Sequence, residues 1–547
     1  MMSLMYPDAQ RASAERPLPR TTREDLGLEL LAQELTGAGL SQGKAENILA
    51  SLPATEKAIA YRRRILAGLA ASDRLRSSLE ELLPKLRELT VFSRSARETD
   101  APLLQAIWRM GELELFVECI EGLCAAFADP PEDISDGLAA LAAYAEAARD
   151  TERFAALKAE LPRMKEGLKK KQSVTIGINL DERFRPTEAV LLSVNPERFE
   201  QSGVLGRFLD NLEASPRYRV SRPLHKMPSA PNIPERKIPL TPLFRDLEDI
   251  LKSLGRSLHR TLKDFLSIET GPLAGIEQEL SFYLGAHRLK QRLEENDLPT
   301  CFPDIAHAGE KRLQAEGFYN MQLALRLFGR SPRDAAARVV ENDISVGPQA
   351  GVIVITGANQ GGKTTFVQGV GLLQVMAQAG LFVPARSAVV SPVDTILTHF
   401  PSGEAGNIET GRLSQELGDL AGLFDAATNE SLLLLNESLA STNAAEAVVI
   451  AEEMLHALRR VGTRTLYATH LHEIAERLDE LNRPAEEGPP VAGLTAETEW
   501  DGETVRRTYR IVPGSPQGKS FARDLARRHG ISYEQLVERF RDRGIID

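Results

Sequence analysis

The sequence predicts an α + α/β chain, a long helical region followed by a phosphate-loop nucleotide domain. Three stretches carry that prediction. From Asp25 to about Leu168 the text is rich in Ala, Leu, Glu and Arg, with apolar spacings of three and four, the period of helices buried on one face. From Gly351 to Phe366, GVIVITGANQGGKTTF sets a β-branched strand, a glycine-rich turn and a helix start in succession. Farther on, the apolar runs Ser431–Glu437 and Thr465–His470 each end in polar residues, as strands do when they present side chains to a ligand.

With 547 residues the chain is too long for one core. Residues 1–25 are polar, with Pro17 and Pro19, and are expected as a flexible leader; 26–172 are expected as a helical domain. Within it, Ala58–Ala70, Arg74–Leu89 and Leu103–Leu123 read as helices, and Pro53, Pro84 and Pro130-Pro131 as breakers. Residues 173–325 are expected as a further helical core with a small β insertion, because Ser173–Asn179 and Ala189–Val194 are β-type runs flanking a charged turn. Residues 216–242 hold seven prolines together with Arg217, Arg219, Arg222, Lys226, Arg236 and Lys237. That composition suits an extended basic loop tracking a phosphate backbone, and equally a plain linker. Helix is expected again over Leu243–Thr270 and from Ala274 to about Glu294, and residues 326–547 form the nucleotide domain.

Bulk properties set limits. The net charge of −11 argues against a wholly basic surface but leaves room for a local basic patch. No apolar run reaches membrane-spanning length, and the N-terminal stretch lacks a secretion signal's apolar core. Cys119, Cys124 and Cys301 have no metal-ligand spacing, so a reducing, cytoplasmic location is expected. Arg62-Arg63-Arg64 and Lys169-Lys170-Lys171 read as solvated helix faces or ends. Phe116-Val117-Glu118 has a Phe-x-Glu pattern that can wedge into DNA, yet it sits mid-helix in LELFVECI, where Phe116 belongs to a core.

The chemistry begins at the glycine-rich turn. Gly357-x4-Gly362-Lys363-Thr364, between a strand and a helix, is the context in which backbone N–H groups converge on phosphate. Gly357, Ala358, Asn359, Gln360, Gly361, Gly362, Lys363, Thr364 and Thr365 are the expected nucleotide-binding residues, Lys363 reaching the outer phosphates and Thr364 offering its hydroxyl to magnesium. The chain should bind ATP with Mg2+. A metal-side carboxylate is normally supplied by a later strand end, where this chain has Asn436 followed by Glu437. The amide still hydrogen-bonds a metal-bound water without adding charge, and Glu437 is the candidate to activate water. His470 ends the next strand and is the candidate sensor of the γ-phosphate.

With these motifs in place the chain resembles the MutS family of DNA-repair ATPases. Thr356–Thr365 resembles that family's TG-x-N-x-GGK-[ST]-T loop, Gly380–Ala385 its G-x-[FY]-VPA segment, Ala468–Glu473 its ATH-x-HE switch and Tyr509–Arg523 its closing stretch. Val174–Asn195 resembles a segment of members other than the standard mismatch sensor. The resemblance implies an ABC-type ATPase, a homodimer clamping two nucleotides, and a helical lever and clamp over residues 100–330 that closes on duplex or branched DNA, with other repair proteins as further partners. The family's Ser-Thr-Phe trans signature is replaced near Gly411-Arg412-Leu413, with Ser414 the nearest hydroxyl and Glu416 in register with the family's glutamate. Neither a mixed α/β mismatch-reading domain nor a nuclease-type extension is expected. The alternative reading is a nucleotide-switched ATPase that binds a protein partner and no DNA.

Overall fold

The computed structural model describes residues 3–7, 15–36, 41–98, 102–169, 173–180, 186–195, 197, 262–265, 267–329, 336–358, 360–400, 412–483, 488–501, 504–514, 530–543 and 545. The Pro-rich basic loop at 216–242, most of the helix expected over 243–270, Asn359, Gly411 and positions 515–523 of the closing stretch lie outside them. The chain divides into two compact units. One comprises Met1–Ser77, Pro131–Ala139 and Gln278–Asp547, the other Ser78–Pro130 and Ala140–Glu277.

The first unit is built on a six-stranded sheet. Its spatial order is Ile396–His399, Leu432–Asn436, Arg464–Ala468, Val352–Thr356, Val491–Asp501 and Thr504–Pro513. The first five strands run parallel and the last is antiparallel. Val352–Thr356, Leu432–Asn436 and Arg464–Ala468 are buried at every position, which is why their sequences are continuous apolar runs rather than alternating ones. Register then does the positioning. Leu435 pairs with Tyr467 and Asn436 with Ala468, while Ala468 pairs with Ile355, so three strands end level with one another. Ligands of open parallel sheets sit outside such carboxyl ends. A four-stranded sheet in the order Asp304–Ile305, Ser387–Val390, Leu313–Phe318 and Asn342–Val346 completes this unit's β structure among the described residues, together with the small pair Glu15–Pro17 and Ser51–Pro53.

Helix Lys363–Gln378 leaves the central strand and is almost wholly buried. The N-terminal segment covers it. Leu26 is fully buried, and a Cβ built on Gly371 would stand 2.6 Å from Leu26 Cδ2 and 2.7 Å from Leu434 Cδ1. Thr22 Oγ1 donates to the Ile396 carbonyl at 2.9 Å, and Thr398 Oγ1 to Asp25 at 2.6 Å, so helix Arg20–Asp25 is fastened to the edge strand. Gln378 Nε2 donates to the Pro53 carbonyl at 3.0 Å. The sequence draws a boundary between leader and helical domain at residue 26. In the structure Arg20–Asp25 and the helices up to Ala71 belong to the first unit, with the six-stranded sheet.

The second unit is largely helical among the described residues. The helices expected around Arg74–Leu89 and Leu103–Leu123 extend over Asp73–Glu98 and Pro102–Ala126. Pro84 lies inside the former and does not end it. The buried face of Leu79, Leu82, Leu83, Leu86 and Leu89 outweighs the hydrogen bond a mid-helix proline removes. Phe116 is buried and meets Phe154 edge-on at 6.3 Å, a core residue and not an exposed wedge. Ser173–Leu180 and Pro186–Asn195 form the expected antiparallel hairpin. One charge reading changes. Arg62, in the first unit, is buried, with Nε donating to the Met5 carbonyl at 3.1 Å and its guanidinium over the Tyr6 ring. A three-arginine run read as a solvated face thus turns its first member inward.

Gly371→Val tests this packing. Extra carbon between Leu26 and Leu434 should lower the unfolding free energy by about 1–3 kcal/mol, read by urea titration. An unchanged midpoint would mean that the N-terminal segment does not seat on this helix.

Candidate functional site

The glycine-rich turn needs backbone that side-chain-bearing residues avoid. Gly357 has φ +126° and Gly362 φ +96°, and a Cβ on Gly357 would meet Ala496 Cβ at 2.8 Å. Between them Gln360 also takes a positive φ, held by Arg507, which donates to its Oε1 at 2.9 Å. The helix begins at Lys363, and its first turn together with Gln360, Gly361 and Gly362 lines one cavity of about 1350 Å³. That cavity is lined by Gln360 to Phe366 and by Glu437, and also by Phe318, Tyr319, Val340 and Tyr509.

Lys363 is buried and donates to the carbonyls of Gly357 at 2.9 Å and Ala358 at 3.3 Å, with Glu437 Oε1 at 3.5 Å. Burial pushes its ammonium below the ordinary lysine range, and the Glu437 charge offsets only part of that. The ammonium is thus held by two carbonyls and one carboxylate of its own chain. Glu437 is half-buried. Burial alone would raise its carboxyl, yet the His470 hydrogen bond and the Lys363 charge outweigh burial and hold it below the ordinary range. His470 Nδ1 lies 2.7 Å from Glu437 Oε2, and that bond pushes the imidazole above its ordinary value.

Thr364 Oγ1 donates to Asn436 Oδ1 at 2.9 Å. These two neutral oxygens, at the helix start and the strand end, fit a hard cation that keeps several waters and takes its remaining ligands from phosphate. Among the described residues no group of three or more His, Cys, Asp or Glu could hold a metal.

Glu437 itself sits at φ +53° and Leu439 at φ +71°, two left-handed non-glycine positions in three residues. Each costs on the order of 1–3 kcal/mol and persists only where neighbours fix it. The neighbours are present. Glu437 N donates to the Ala468 carbonyl at 2.7 Å, the Tyr467 hydroxyl donates to the Ser438 carbonyl at 3.0 Å, and Ser438 Oγ lies 2.7 Å from His399 Nδ1. Glu416 accepts from Leu439 N at 2.6 Å, from Ser441 N at 3.3 Å and from the Ser441 hydroxyl.

The structure therefore brings together Gly357, Ala358, Gln360, Gly361, Gly362, Lys363, Thr364, Thr365, Asn436, Glu437 and His470 around one edge. It leaves His472 exposed at the start of a short helix, and Ser414 exposed in the first turn of Arg412–Ala426. Glu416, expected to act across a dimer, is buried and bonded within its own chain. Asn320, Arg507, His399, Tyr467 and Ser438 were not singled out from the sequence. Asn320 caps helix Met321–Phe328 and donates to the Thr365 carbonyl at 2.7 Å. Asn320, His399 and Arg507 are distant in sequence from the residues they support, Ser438 and Tyr467 lie near Glu437 and His470, and none carries a local pattern that marks it.

Two family models match this chain, MutS domain V over residues 353–541 and the MutS2 N-terminal domain over residues 54–296. The chain belongs to the MutS family. Within the family it is similar to Endonuclease MutS2 of Clostridium acetobutylicum, 29% identical over 290 residues, which are 52% of this chain and 35% of that protein. It is 34% identical over 242 residues to Endonuclease MutS2 of Geobacillus kaustophilus, covering 43% of this chain and 30% of that one. It is 36% identical over 213 residues to the DNA mismatch repair protein MutS of Rhodopirellula baltica, covering 38% and 23%. The chain spans well under half the length of these MutS relatives. The MutS domain V match opens within the central strand and contains the phosphate loop, Asn436, Glu437 and His470.

The Glu437–His470 pair has a defined pH signature. Because His470 is raised by the pair, its contribution to stability is fully present below about pH 6.5 and is lost as pH rises through the raised value. The His470 imidazole should titrate above the ordinary histidine value by NMR, and Glu437→Gln should return it toward that value. An imidazole already at the ordinary value in the parent would rule the pair out.

Proposed function

We propose that this MutS-family chain is an ATPase whose nucleotide state switches a DNA-binding clamp, with two copies pairing around two nucleotides. The convergence of the phosphate loop, Lys363, Glu437 and His470 at one sheet edge carries the reading. Lys363 would exchange the Gly357 and Ala358 carbonyls for the outer phosphates of ATP. Released from that lysine, Glu437 would accept a proton from the attacking water, with its carboxylate aimed by the Nδ1 side of His470. Thr364 and Asn436 would hold magnesium, which supplies charge neutralisation at the phosphates. Because Asn436 brings no charge, the metal should be held less tightly than by a carboxylate. Phe318, Tyr319 and Tyr509, which line the same cavity, suit a nucleobase.

The clamp half of the reading rests on the family. The relatives are named for mismatch repair and for endonuclease activity, and the helical second unit corresponds in part to the match with the MutS2 N-terminal domain. Residues 100–330 would act as levers and clamp, gripping DNA by shape and phosphate. No helix among the described residues is long and apolar enough to cross a membrane, and a cytoplasmic setting is proposed with the rest.

Two measurements test this. Lys363→Ala should abolish nucleotide binding, while Glu437→Ala should keep binding and lower turnover at least a hundredfold, measured by ATP binding and phosphate release. Parent-rate hydrolysis by Glu437→Ala would remove the base assignment. Turnover of the parent protein should also change with one of duplex, mismatched or four-way-junction DNA, through binding that weakens steeply with salt. Turnover indifferent to every DNA, with no salt-sensitive binding, would favour a switch that acts on a protein partner.

A further inference from the structure

The buried carboxylate of Glu416 is the contact that none of the steps above uses. Its two oxygens accept from Leu439 N, from Ser441 N and from the Ser441 hydroxyl, all on the turn that follows Glu437. That turn contains two left-handed positions, Glu437 and Leu439, and the direction of the Glu437 side chain follows from them. The remaining ties on the turn come from the sheet: Ala468 and Tyr467 from one strand and His399 from the edge strand. Glu416 comes from elsewhere, the helix Arg412–Ala426, whose first turn exposes Ser414.

We propose that Glu416 is a positioning residue for the hydrolytic site of its own chain, fixing the turn that aims Glu437, and that helix Arg412–Ala426 thereby couples Ser414 to that site. The inference rests on the ATPase reading with Glu437 as base. Both carboxylate oxygens are engaged inside the chain, so reaching a partner's nucleotide would mean breaking three bonds and leaving two backbone N–H groups of a strained turn unpaired. Such a bridge works as a lever. A shift of the helix that disturbs Ser414 is transmitted through one carboxylate to the turn, and proton transfer is sensitive to displacements of that size. The glutamate is thus placed to report, at one nucleotide, what the exposed end of its helix meets.

The test combines single variants with mixed dimers. Glu416→Gln keeps the shape but faces Ser441 N with an amide donor, or else Leu439 N. It should lower kcat at least tenfold while nucleotide Kd stays within twofold of the parent and the melting temperature holds, and Glu416→Ala should lose more. Copies of Glu416→Ala and Glu437→Ala carrying different tags would then be co-purified as mixed dimers. Own-chain action leaves both sites defective, so the mixed dimers stay inactive. Recovery of about half the parent turnover would place Glu416 on the partner's nucleotide and overturn the proposal. Parent kcat in Glu416→Gln would overturn it too, as would a parallel loss of nucleotide affinity and melting temperature, which marks a general structural role. If no mixed dimer assembles, a kcat loss in the monomer with Kd intact establishes own-chain action directly. A parent protein without any ATP turnover would instead sink the ATPase reading on which the proposal stands.

Discussion

The pairing of three buried parallel strands is the constraint on which the rest depends. Asn436 opposite Ala468, and Ala468 opposite Ile355, bring the glycine-rich turn, Glu437 and His470 out at the same edge. A slip of one residue in either pairing would turn every side chain of a strand to its other face and carry Glu437 away from Lys363. The strands are buried on both faces, so burial alone does not select the register. The polar strand ends and the hydrogen bonds they make do so, with Glu437 N on Ala468 O and Thr469 N on Ile355 O.

Electrostatics follow from that geometry. Lys363, Glu437 and His470 form a short charged chain at the mouth of a buried sheet edge, and each biases the next. Burial weakens the lysine's hold on its proton, while the His470 hydrogen bond and the Lys363 charge outweigh burial at Glu437 and hold its carboxyl below the ordinary range. Asn436 leaves this chain of charges undisturbed, since its amide oxygen is satisfied by Thr364.

The N-terminal segment shows how far packing reaches into the site. Leu26 lies against the glycine of the phosphate-loop helix, and Asp25 accepts from Thr398 on the edge strand. Burial lifts the Asp25 carboxyl above its ordinary range, although the Thr398 hydrogen bond pulls the other way. The helix that presents Lys363 is thus wedged between the sheet and chain more than 300 residues earlier, as the Gln368–Asp25 contact illustrates. Its glycine at 371 records that close approach.

By itself the sequence determined the parts with a local period or spacing. These are the strand, turn and helix around Lys363, the Asn436-Glu437 and His470 strand ends, the hairpin after Ser173 and the long helices. Each is encoded within a few neighbouring residues, through apolar repeat, β-branching or the positions of glycines. Tertiary structure alone decided which distant pieces meet them. Arg62 points into a core although it belongs to a basic run, Pro84 lies inside a helix whose buried leucines hold it, and Glu416 closes on a turn 23 residues onward. Helices before residue 72 belong to the unit built on the six-stranded sheet rather than to the second one. None of these leaves a local pattern, because each depends on a complementary surface, a carbonyl or an N–H group that folding supplies from another part of the chain.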